Sequence, residues 1–378
     1  MATAQPQIAP SITTLSRSEW IGDIQAPNPD SSLFLPTNGG LIPNDRFMTG
    51  LKLQVAVRFT QPATGNATGT QADAPYSIIE RVQIKGTHRY RGQSELFYDM
   101  RGADIYELAK NYQARAPQSS GTLAIAANAT SDIRFTLPIS FIPLNCSIND
   151  KVGFLLDAPN YDQLTLTIFW ADPASVFTGQ SGAITMTAIG STTGSPVVSV
   201  SGDFCMSKSQ FAGYLPARMW QYFFENTSSQ LTNTATQQQL YLMPRGYRIR
   251  SLMIKTGVKS TTTTAGYNAY NSLSDSILAN IIPHLGTNKQ LRNYRNFIAL
   301  KEDTAERYLI TPSTGYGILD YAQNGTLAES LDLTSAIAGP TGDTSADLAA
   351  DVAGASNQAA LFIVQELRGA PMTGQPAK

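Results

Sequence analysis

Three carboxylates around one predicted helix are the strongest candidates for chemistry in this sequence. Asp104 and Glu107 are three residues apart, which makes them neighbours on one helix face, and Asp99 lies just upstream. Such a cluster could bind calcium or act as a general acid and base. Calcium loops, however, alternate their ligands around a glycine, and the chain has no D-x-[DN]-x-[DN]-G run. Because the helix dipole favours carboxylates in the first turn, we interpret Asp104 and Glu107 as a solvated helix face.

Histidine and cysteine are too scarce for a metal site. His88 and His284 are predicted on different strands, without a cysteine or carboxylate at ligand spacing, and we expect them at strand ends or on the surface. Cys146 and Cys205 are too few for a disulfide framework and indicate two buried thiols in a reducing compartment. Phosphate-loop, GxSxG and SxxK motifs are missing from the sequence, and residues 179–182 (GQSG) have the wrong spacing. We therefore predict no catalytic residue, no cofactor and no metal.

Two other groups of side chains invite a functional interpretation. Four basic residues surround one predicted strand pair and could bind phosphate or carboxylate, although surface salt bridges are the more frequent use: Arg81, Lys85, Arg89 and Arg91. Four aromatic residues could rest on a membrane interface: Trp220, Tyr222, Phe223 and Phe224. The flanking Arg218 and Glu225 supply no basic cluster for lipid headgroups. We expect the aromatic group to pack between the two halves of the chain.

The elements that would position these residues are mostly strands. Apolar residues alternate with polar ones in residues 51–59, 133–141 and 164–170, the pattern of half-buried strands. Pro138 predicts an edge or bulged position for the second of these. One helix is predicted over residues 103–113, with Ile105, Leu108, Ala109 and Tyr112 on one stripe. The S-x-x-E spacing of residues 16–19 predicts a second, short helix.

The front and back halves share a pattern about 200 residues apart. Residues 41–57 align with residues 242–258, with identities that include Leu51 with Leu252 and Val57 with Val258. Residues 78–87 (IIERVQIKGT) then align with residues 278–287 (LANIIPHLGT). A repeat of this length is a whole domain rather than a solenoid unit. Each half offers about eight strands, which fits a jelly roll of two packed four-stranded sheets.

Composition narrows the class of protein. The chain has 378 residues, enough for two domains that each bury a core. Charged residues make up only 15%, and the net charge of −1 provides no field to attract nucleic acid or anionic lipid. Neither a secretory signal nor an apolar run of membrane-spanning length occurs in the sequence, so we expect a soluble protein made in a cytoplasm. Long neutral loops are predicted over residues 259–276 and 335–358.

Several strand patterns resemble those of double jelly-roll major capsid proteins. Residues 78–87 followed by 94–97 (SELF) are similar to an early strand pair of that family. Residues 135–141, 154–159 and 164–170 resemble later strands of the first jelly roll, and residues 315–320 and 361–364 resemble closing strands of the second. The family builds the shells of tailless icosahedral viruses, including phages with an internal membrane and the adenovirus-like lineage.

The resemblance implies an all-β fold of two consecutive eight-stranded jelly rolls, with short helices in loops, and a structural rather than enzymatic function. It implies a homotrimer whose six jelly rolls form a pseudo-hexagonal capsomer in the shell of the virion, beside other capsomers, minor capsid or penton proteins and an internal membrane. Residues 1–45 hold Arg17 as their one basic residue, against Glu19, Asp23, Asp30 and Asp45, so the N-terminal arm is unsuited to direct genome binding.

We predict an arm over residues 1–38, a first jelly roll over 39–206, a junction over 207–239 and a second jelly roll over 240–378. Two other functions stay open at this level. A carbohydrate- or receptor-binding β-sandwich shares the topology class, although the long loops hold few aromatic residues or carboxylates. A glycoside-active enzyme needs two carboxylates at a defined separation, which the sequence neither places nor excludes.

Overall fold

A computed structural model describes residues 17–25, 32–34, 42–89, 92, 94–142, 155–189, 196–207, 220–243, 246–260, 270–286, 289–322, 329–333 and 345–369. Strands dominate both halves of the chain. Those of the first half are β1 (Arg17–Gln25), β2 (Ser32–Phe34), β3 (Arg46–Thr60), β4 (Gly69–Thr70), β5 (Ile79–His88), β6 (Ser94–Met100), β7 (Ser119–Ser120), β8 (Thr130–Ser140), β9 (Tyr161–Trp170), β10 (Phe177–Thr178), β11 (Thr185–Ala188) and β12 (Pro196–Ser207).

The second half continues with the same kind of elements. Its strands are β13 (Trp220–Gln230), β14 (Ala235–Leu242), β15 (Arg248–Lys259), β16 (Tyr270–Leu273), β17 (Leu278–Leu285), β18 (Lys289–Gln290), β19 (Tyr294–Asn296), β20 (Tyr316–Asp320), β21 (Leu331–Asp332), β22 (Ala346–Val352) and β23 (Gln358–Gly369). The α-helices of the described residues are α1 (Gly102–Gln113) and α2 (Phe297–Tyr308), and short 3-10 helices span Tyr76–Ile78, Ala158–Asn160 and Pro173–Ser175.

Both halves arrange eight of their described strands in the same order. In the first half the sheets read β1-β12-β3-β8 and β2-β9-β5-β6, and in the second they read β13-β23-β15-β20 and β14-β22-β17-β19. Counted along each half, both pairs have the orders 1-8-3-6 and 2-7-4-5. Two packed antiparallel sheets with this connectivity form a jelly roll. The predicted fold of two consecutive eight-stranded jelly rolls with helices in their loops is confirmed.

Alternation in the sequence explains the central strands. In β3, Leu51, Leu53, Val55 and the other apolar positions are buried in the first core, while the residues between them face outward. β15 repeats this arrangement, with Leu252 and Ile254 in the second core. The predicted repeat therefore aligns equivalent strands: β3 with β15, and β5 with β17. Pro138 lies in β8 beyond the two residues that pair with β7, an edge position as predicted.

The N-terminal segment differs from its prediction. Residues 17–25 form strand β1 instead of a short helix, and β1 pairs along its length with β12. Ile21 and Ile24 are buried in the first core. β2 pairs with β9. The first two strands of the first jelly roll thus lie within residues 1–38, which were predicted as an arm outside both cores. Pairing with a distant strand outweighs the local capping pattern of residues 16–19.

Two further segments were misjudged. Residues 207–239, predicted as a junction, contain β13 and the start of β14, the first two strands of the second jelly roll. Residues 346–352 (ADLAADV) lie in a predicted loop but form β22, which pairs with both β14 and β17. Alanine and aspartate are uncommon in strands, so the local sequence hides this one. Its position between two partners determines its structure.

One continuous sheet joins the two halves. β6 of the first jelly roll lies parallel to β13 of the second, with Tyr98 opposite Phe224. The 2-7-4-5 sheet of the first half is thereby extended by the 1-8-3-6 sheet of the second. The outer face of the β13-β23-β15-β20 sheet packs against the first half, because Met253, Ile318 and Ile363 belong to the first hydrophobic core.

Candidate functional site at the junction between the halves

Helix α1 lies at the junction of the two jelly rolls and carries the carboxylates that the sequence singled out. Ile105, Leu108 and Tyr112 are buried as the predicted stripe requires. Asp104 and Glu107 are buried as well, which corrects their interpretation as a solvated face. The second half covers them, and a helix pattern alone does not reveal that a second domain will pack on its polar side.

A buried lysine of the second half neutralises two carboxylates of the first. Lys255 on β15 places its Nζ 2.8 Å from Asp73 Oδ2 and 3.1 Å from Asp104 Oδ1. The hydroxyl of Tyr316 donates to the same Asp104 oxygen at 2.9 Å. The ammonium also lies over the rings of Tyr270 and Tyr316, 4.7 and 5.2 Å from their centroids. All these side chains are buried, so the contacts to Asp73 and Asp104 link the halves away from water.

The electrostatics of this group follow from one cation facing two anions. Burial lowers the pKa of Lys255, but the charges of Asp104 and Asp73 raise it by more, so its pKa lies above the ordinary value. Burial raises the pKa of Asp73, and Lys255 offsets this only in part. Burial also raises the pKa of Tyr316 well above its ordinary value, which keeps the hydroxyl a hydrogen-bond donor. Lys255 is therefore charged at neutral pH.

Glu107 anchors the other side of α1 to the loop before β20. Its Oε1 accepts the backbone N–H of Ser313 at 2.8 Å, and its Oε2 accepts the Ser313 hydroxyl at 2.7 Å. Lys110 donates to the same hydroxyl at 2.9 Å. A buried carboxylate held by two donors contributes to stability only while both are in place, since an unpaired charge at this depth is costly. This contact fixes α1 on the second jelly roll.

A third polar group lies where the C-terminal part of α1 meets β15 and β23. The Tyr112 hydroxyl donates to Gln365 Oε1 at 2.8 Å and accepts from Arg250 Nη1 at 3.2 Å. Arg250 also lies 3.5 Å from Asp320, whose Oδ2 accepts the hydroxyl of Tyr308 at 2.6 Å. Burial raises the pKa of Tyr112 to about 12, so the hydroxyl stays protonated. The network spans four elements of the second half, β15, β20, β23 and α2, and one of the first, α1.

The arrangement fastens the two jelly rolls together and offers little for catalysis. Asp73, Asp104 and Glu107 each accept hydrogen bonds from the second half through at least one oxygen. A substrate could reach these carboxylates only if the halves separated, because all three are buried. Lys255, Arg250 and Asp73 were not singled out from the sequence. The signal was present: charged residues inside the apolar strand β15 indicate buried ion pairs.

The other sequence candidates lie apart from this junction. Asp99 does not join Asp104 but forms an ion pair with Arg81, as a salt bridge of that basic group was expected to do. Arg89 forms an exposed ion pair with Asp162 at 2.9 Å. Lys85 is exposed, and Arg91 lies outside the described residues. Arg81 and Arg89 thus form ion pairs within the first half.

The histidines and the one cysteine that the structure describes lie apart from one another. His88 ends β5, as predicted for a strand-end residue, but it is buried and its ring packs edge-on against Tyr161, with centroids 5.4 Å apart. His284 Nδ1 lies 2.8 Å from Asp347 Oδ1. Cys205 is a buried free thiol, and Cys146 lies outside the described residues. Within the part of the chain that the structure describes, His, Cys, Asp and Glu form no group of three that could hold a metal ion.

For the aromatic segment, the structure describes the backbone but not the side chains. Residues 220–224 begin β13, the strand that joins the halves through its contact with β6. Their side chains lie outside the described residues, so the expected packing between the halves stays a prediction. Of the helices among the described ranges, none is long and apolar enough to cross a membrane.

Solved structures supply the comparison for this pair of jelly rolls. The structure entitled STIV MCP matches with a TM-score of 0.64 at 12% identity, and the match covers 96% of this chain and 99% of that one. The major capsid protein P2 of bacteriophage PM2 matches with a TM-score of 0.55 at 13% identity, covering 96% of this chain and 100% of that one. This chain has the double jelly-roll fold.

Other double jelly rolls extend the comparison. The Faustovirus major capsid protein matches with a TM-score of 0.54 at 10% identity, over 99% of this chain and 93% of that one. No family model and no curated protein sequence matches the chain. At these identities the likeness lies in the fold, which spans nearly the whole of each double jelly roll. The fold predicted from the strand patterns is thus confirmed.

Proposed function

We propose that this chain is the major capsid protein of a tailless icosahedral virus. The observation that carries the proposal is the match over 96% of this chain and at least 99% of two capsid chains, without a large unmatched region on either side. Fold alone does not determine function, so the site must agree with it. Asp73, Asp104 and Glu107 join the two jelly rolls, and a rigid building block requires such a junction.

The proposed assembly is a homotrimer. Two jelly rolls in each of three chains make six similar units, which together form a pseudo-hexagonal capsomer. Closed cyclic symmetry covers heterologous surfaces that a single chain leaves exposed. Neighbouring capsomers are the other main partners, with minor capsid or penton proteins at special positions and an internal membrane beneath. The protein would be made in the host cytoplasm and reside in the virion shell.

Direct genome binding is not part of the proposed function. The net charge is −1, and non-specific affinity for nucleic acid comes mainly from lysine and arginine that neutralise phosphates. We expect weak DNA binding with a shallow salt dependence in a filter-binding titration. Sub-micromolar affinity that collapses as salt rises would assign the chain a genome-binding function instead.

The decisive experiment is the mass of the purified protein followed by electron microscopy of assembled particles. Multi-angle light scattering should give about 122 kDa, three times the chain mass of 40.7 kDa. Particles from infected or co-expressing cells should carry the protein in their shell. A monodisperse monomer at micromolar concentration contradicts the trimer, and its absence from the shell contradicts the capsid function.

A further inference from the structure

The two α-helices occupy equivalent places in the two jelly rolls. Each has 12 residues and lies between the fifth and sixth strands of its half. Each ends at a residue in the left-handed conformation, Ala114 with φ 50° and Leu309 with φ 58°. Aligning these ends makes Ala103, Glu107 and Asn111 of α1 equivalent to residues 298, 302 and 306 of α2.

The equivalent faces of the helices differ in burial. Ala103, Glu107 and Asn111 are buried in α1, whose Glu107 binds the second jelly roll. The matching residues of α2 are Ile298, Glu302 and Glu306, and all three are exposed. Ile298 is 63% exposed, although the equivalent face of α1 is covered by another jelly roll. The second half covers this face of α1, whereas the described residues leave the equivalent face of α2 exposed.

Leu309 makes the exposed helix end unusual. Its side chain is 76% exposed, and it adopts a left-handed conformation that glycine or asparagine would take at lower cost. Neither the exposure nor the left-handed conformation stabilises a leucine in a solvated chain. A leucine in this position is favourable when a partner buries its side chain. Ile298 and Leu309 are 11 residues apart, about three helical turns, so they lie on the same side of α2.

The surface that receives α1 also has a counterpart on the first half. Lys255 on β15 pairs across the sheet with Tyr316 and Leu361. Gln54 on β3 pairs in the same way with Thr136 and Ser199. The offset between Leu51 and Leu252 makes Gln54 equivalent to Lys255, and both residues lie between the sixth and eighth strands of their half.

A groove marks this counterpart on the outer face of the first jelly roll. It has a volume of about 430 Å³ and lies along β3, β7 and β8. Among its lining residues are Gln54, Ala56, Ser119, Arg134, Thr136 and Ser199. The second half has α1 at the equivalent place, whereas the groove on the first half is open to solvent.

Charge and size match across the two surfaces. In the chain, Asp104 meets Lys255; at the equivalent positions Ala299 would meet Gln54, so neither side would bury an unpaired charge. Ser313, the partner of Glu107, lies in the loop before β20, and the strand of the first half that corresponds to β20 is β8, which carries Arg134. Arg134 is exposed in the groove. Arg134 is the one charged residue among the described residues that line the groove, so Glu302, the counterpart of Glu107, would find a partner of opposite charge there.

We propose that helix α2 of one copy docks in this groove of a second copy, with Glu302 facing Arg134 and with Ile298 and Leu309 buried at the contact. The contact repeats between chains the junction that α1 makes within the chain. It is heterologous, since one copy supplies the helix and the other the groove, and such contacts close into rings. The inference rests on the proposed trimer and assigns its interface.

Cysteine pairing tests the geometry directly. The double variant Arg134→Cys with Glu302→Cys, oxidised as the purified full-length protein, should give covalent species of two and three chains on a denaturing gel. Each single variant should match the wild-type background from Cys146 and Cys205. Crosslinking by Glu302→Cys alone would show helix against helix and overturn the proposal, as would a double variant without crosslinks.

Charge reversal tests the energetics. Glu302→Arg and Arg134→Glu should each weaken the trimer about tenfold or more, because like charges then face each other, and the double variant should recover most of the loss. Lys85→Glu makes the same charge change as Arg134→Glu at an exposed position on β5 and should leave the trimer intact. Equal losses in all variants without recovery would overturn the assignment.

The wild-type mass separates this inference from the proposed function. A wild-type trimer that neither crosslinks nor responds to charge reversal overturns the interface and leaves the capsid function standing. A wild-type monomer overturns both. Circular dichroism melting of every variant shows whether a lost trimer reflects the contact or the fold.

Discussion

The outer faces of strands β3 and β15 differ although their inner faces agree. Inward, Leu51 and Leu252 occupy equivalent core positions. Outward, β15 presents Met253 and Lys255, both buried against the first half. At the same places β3 presents the less buried Lys52 and Gln54.

The inner faces of the strands specify the jelly-roll fold, and the outer faces specify what packs against it. The inner faces need apolar residues at every second position, and both halves meet that need. The residue types on each outer face depend on what packs against that sheet. A buried outer face, whose Arg250 and Lys255 contact the first half, belongs to the junction within the chain. A polar face with a groove belongs to a contact that a solvated chain can leave open.

The largest expected effect concerns the first strand of each half. β1 holds in the first jelly roll the position that β13 holds in the second, next to the eighth strand. Deleting residues 1–38 removes β1 and β2, and burial of Ile21 and Ile24 alone contributes roughly 3–6 kcal/mol. We expect the first half to unfold, as measured by circular dichroism and thermal melting.

Deleting residues 1–16 is the matched control, because the described pairing with β12 begins at Arg17. This shorter deletion should leave the melting temperature unchanged and should impair shell assembly if the segment bridges capsomers. A folded protein after the longer deletion would contradict the structural importance of β1.

The second largest effect on stability distinguishes β15 from β3. Lys255→Met leaves Asp73 and Asp104 buried without their cation and should lower the free energy of unfolding by about 3–5 kcal/mol. Gln54→Met, at the equivalent but exposed position, should change it by less than about 0.5 kcal/mol. Urea unfolding of both variants measures the difference. Similar values would mean that the buried ion pair does not distinguish the two faces.

A smaller effect separates the two helices. Glu107→Gln weakens the bonds from Ser313 in a buried site, and we expect a loss of about 1–3 kcal/mol in the free energy of unfolding. Glu302→Gln, at the equivalent exposed position, should leave the unfolding of the separated chain within about 0.5 kcal/mol. Measurements on dilute protein keep chain contacts out of the comparison. A comparable loss at Glu302 would contradict its exposure in the single chain.

The smallest effect is confined to alkaline pH. The pKa of Lys255 in the folded protein lies above its ordinary value of 10.5, so its stabilising contribution is fully present below that pH. It is lost as pH rises through the folded pKa. The difference in unfolding free energy between wild type and Lys255→Met should therefore shrink above about pH 10.5. A difference that stays constant through that range would show that folding does not raise the pKa of Lys255.

Much of the fold could be predicted because it depends on local alternation. Apolar residues at every second position predict β3, β8 and β9, and the stripe of Ile105, Leu108 and Tyr112 predicts α1. The repeat near 200 residues supported two similar domains, and the structure aligns the same strands. These signals survive in a single sequence because each core requires them whatever surrounds the domain.

β1 and β22 were decided by tertiary pairing. The capping pattern of residues 16–19 favours a helix, yet β1 pairs with β12 almost 180 residues away along the chain. β22 has the composition of a loop and becomes a strand between β14 and β17. Propensity is weak for such segments, and the hydrogen bonds of two neighbouring strands outweigh it.

The junction shows the same division most clearly. The sequence alone determined that Asp104 and Glu107 share one face of a helix in an all-β chain of two similar domains. Whether that face meets water or Lys255 and Ser313 was decided only when the second jelly roll packed upon it. The physical reason is that helix periodicity reports the angular position of a side chain, whereas burial depends on contacts between residues some 150 to 200 positions apart.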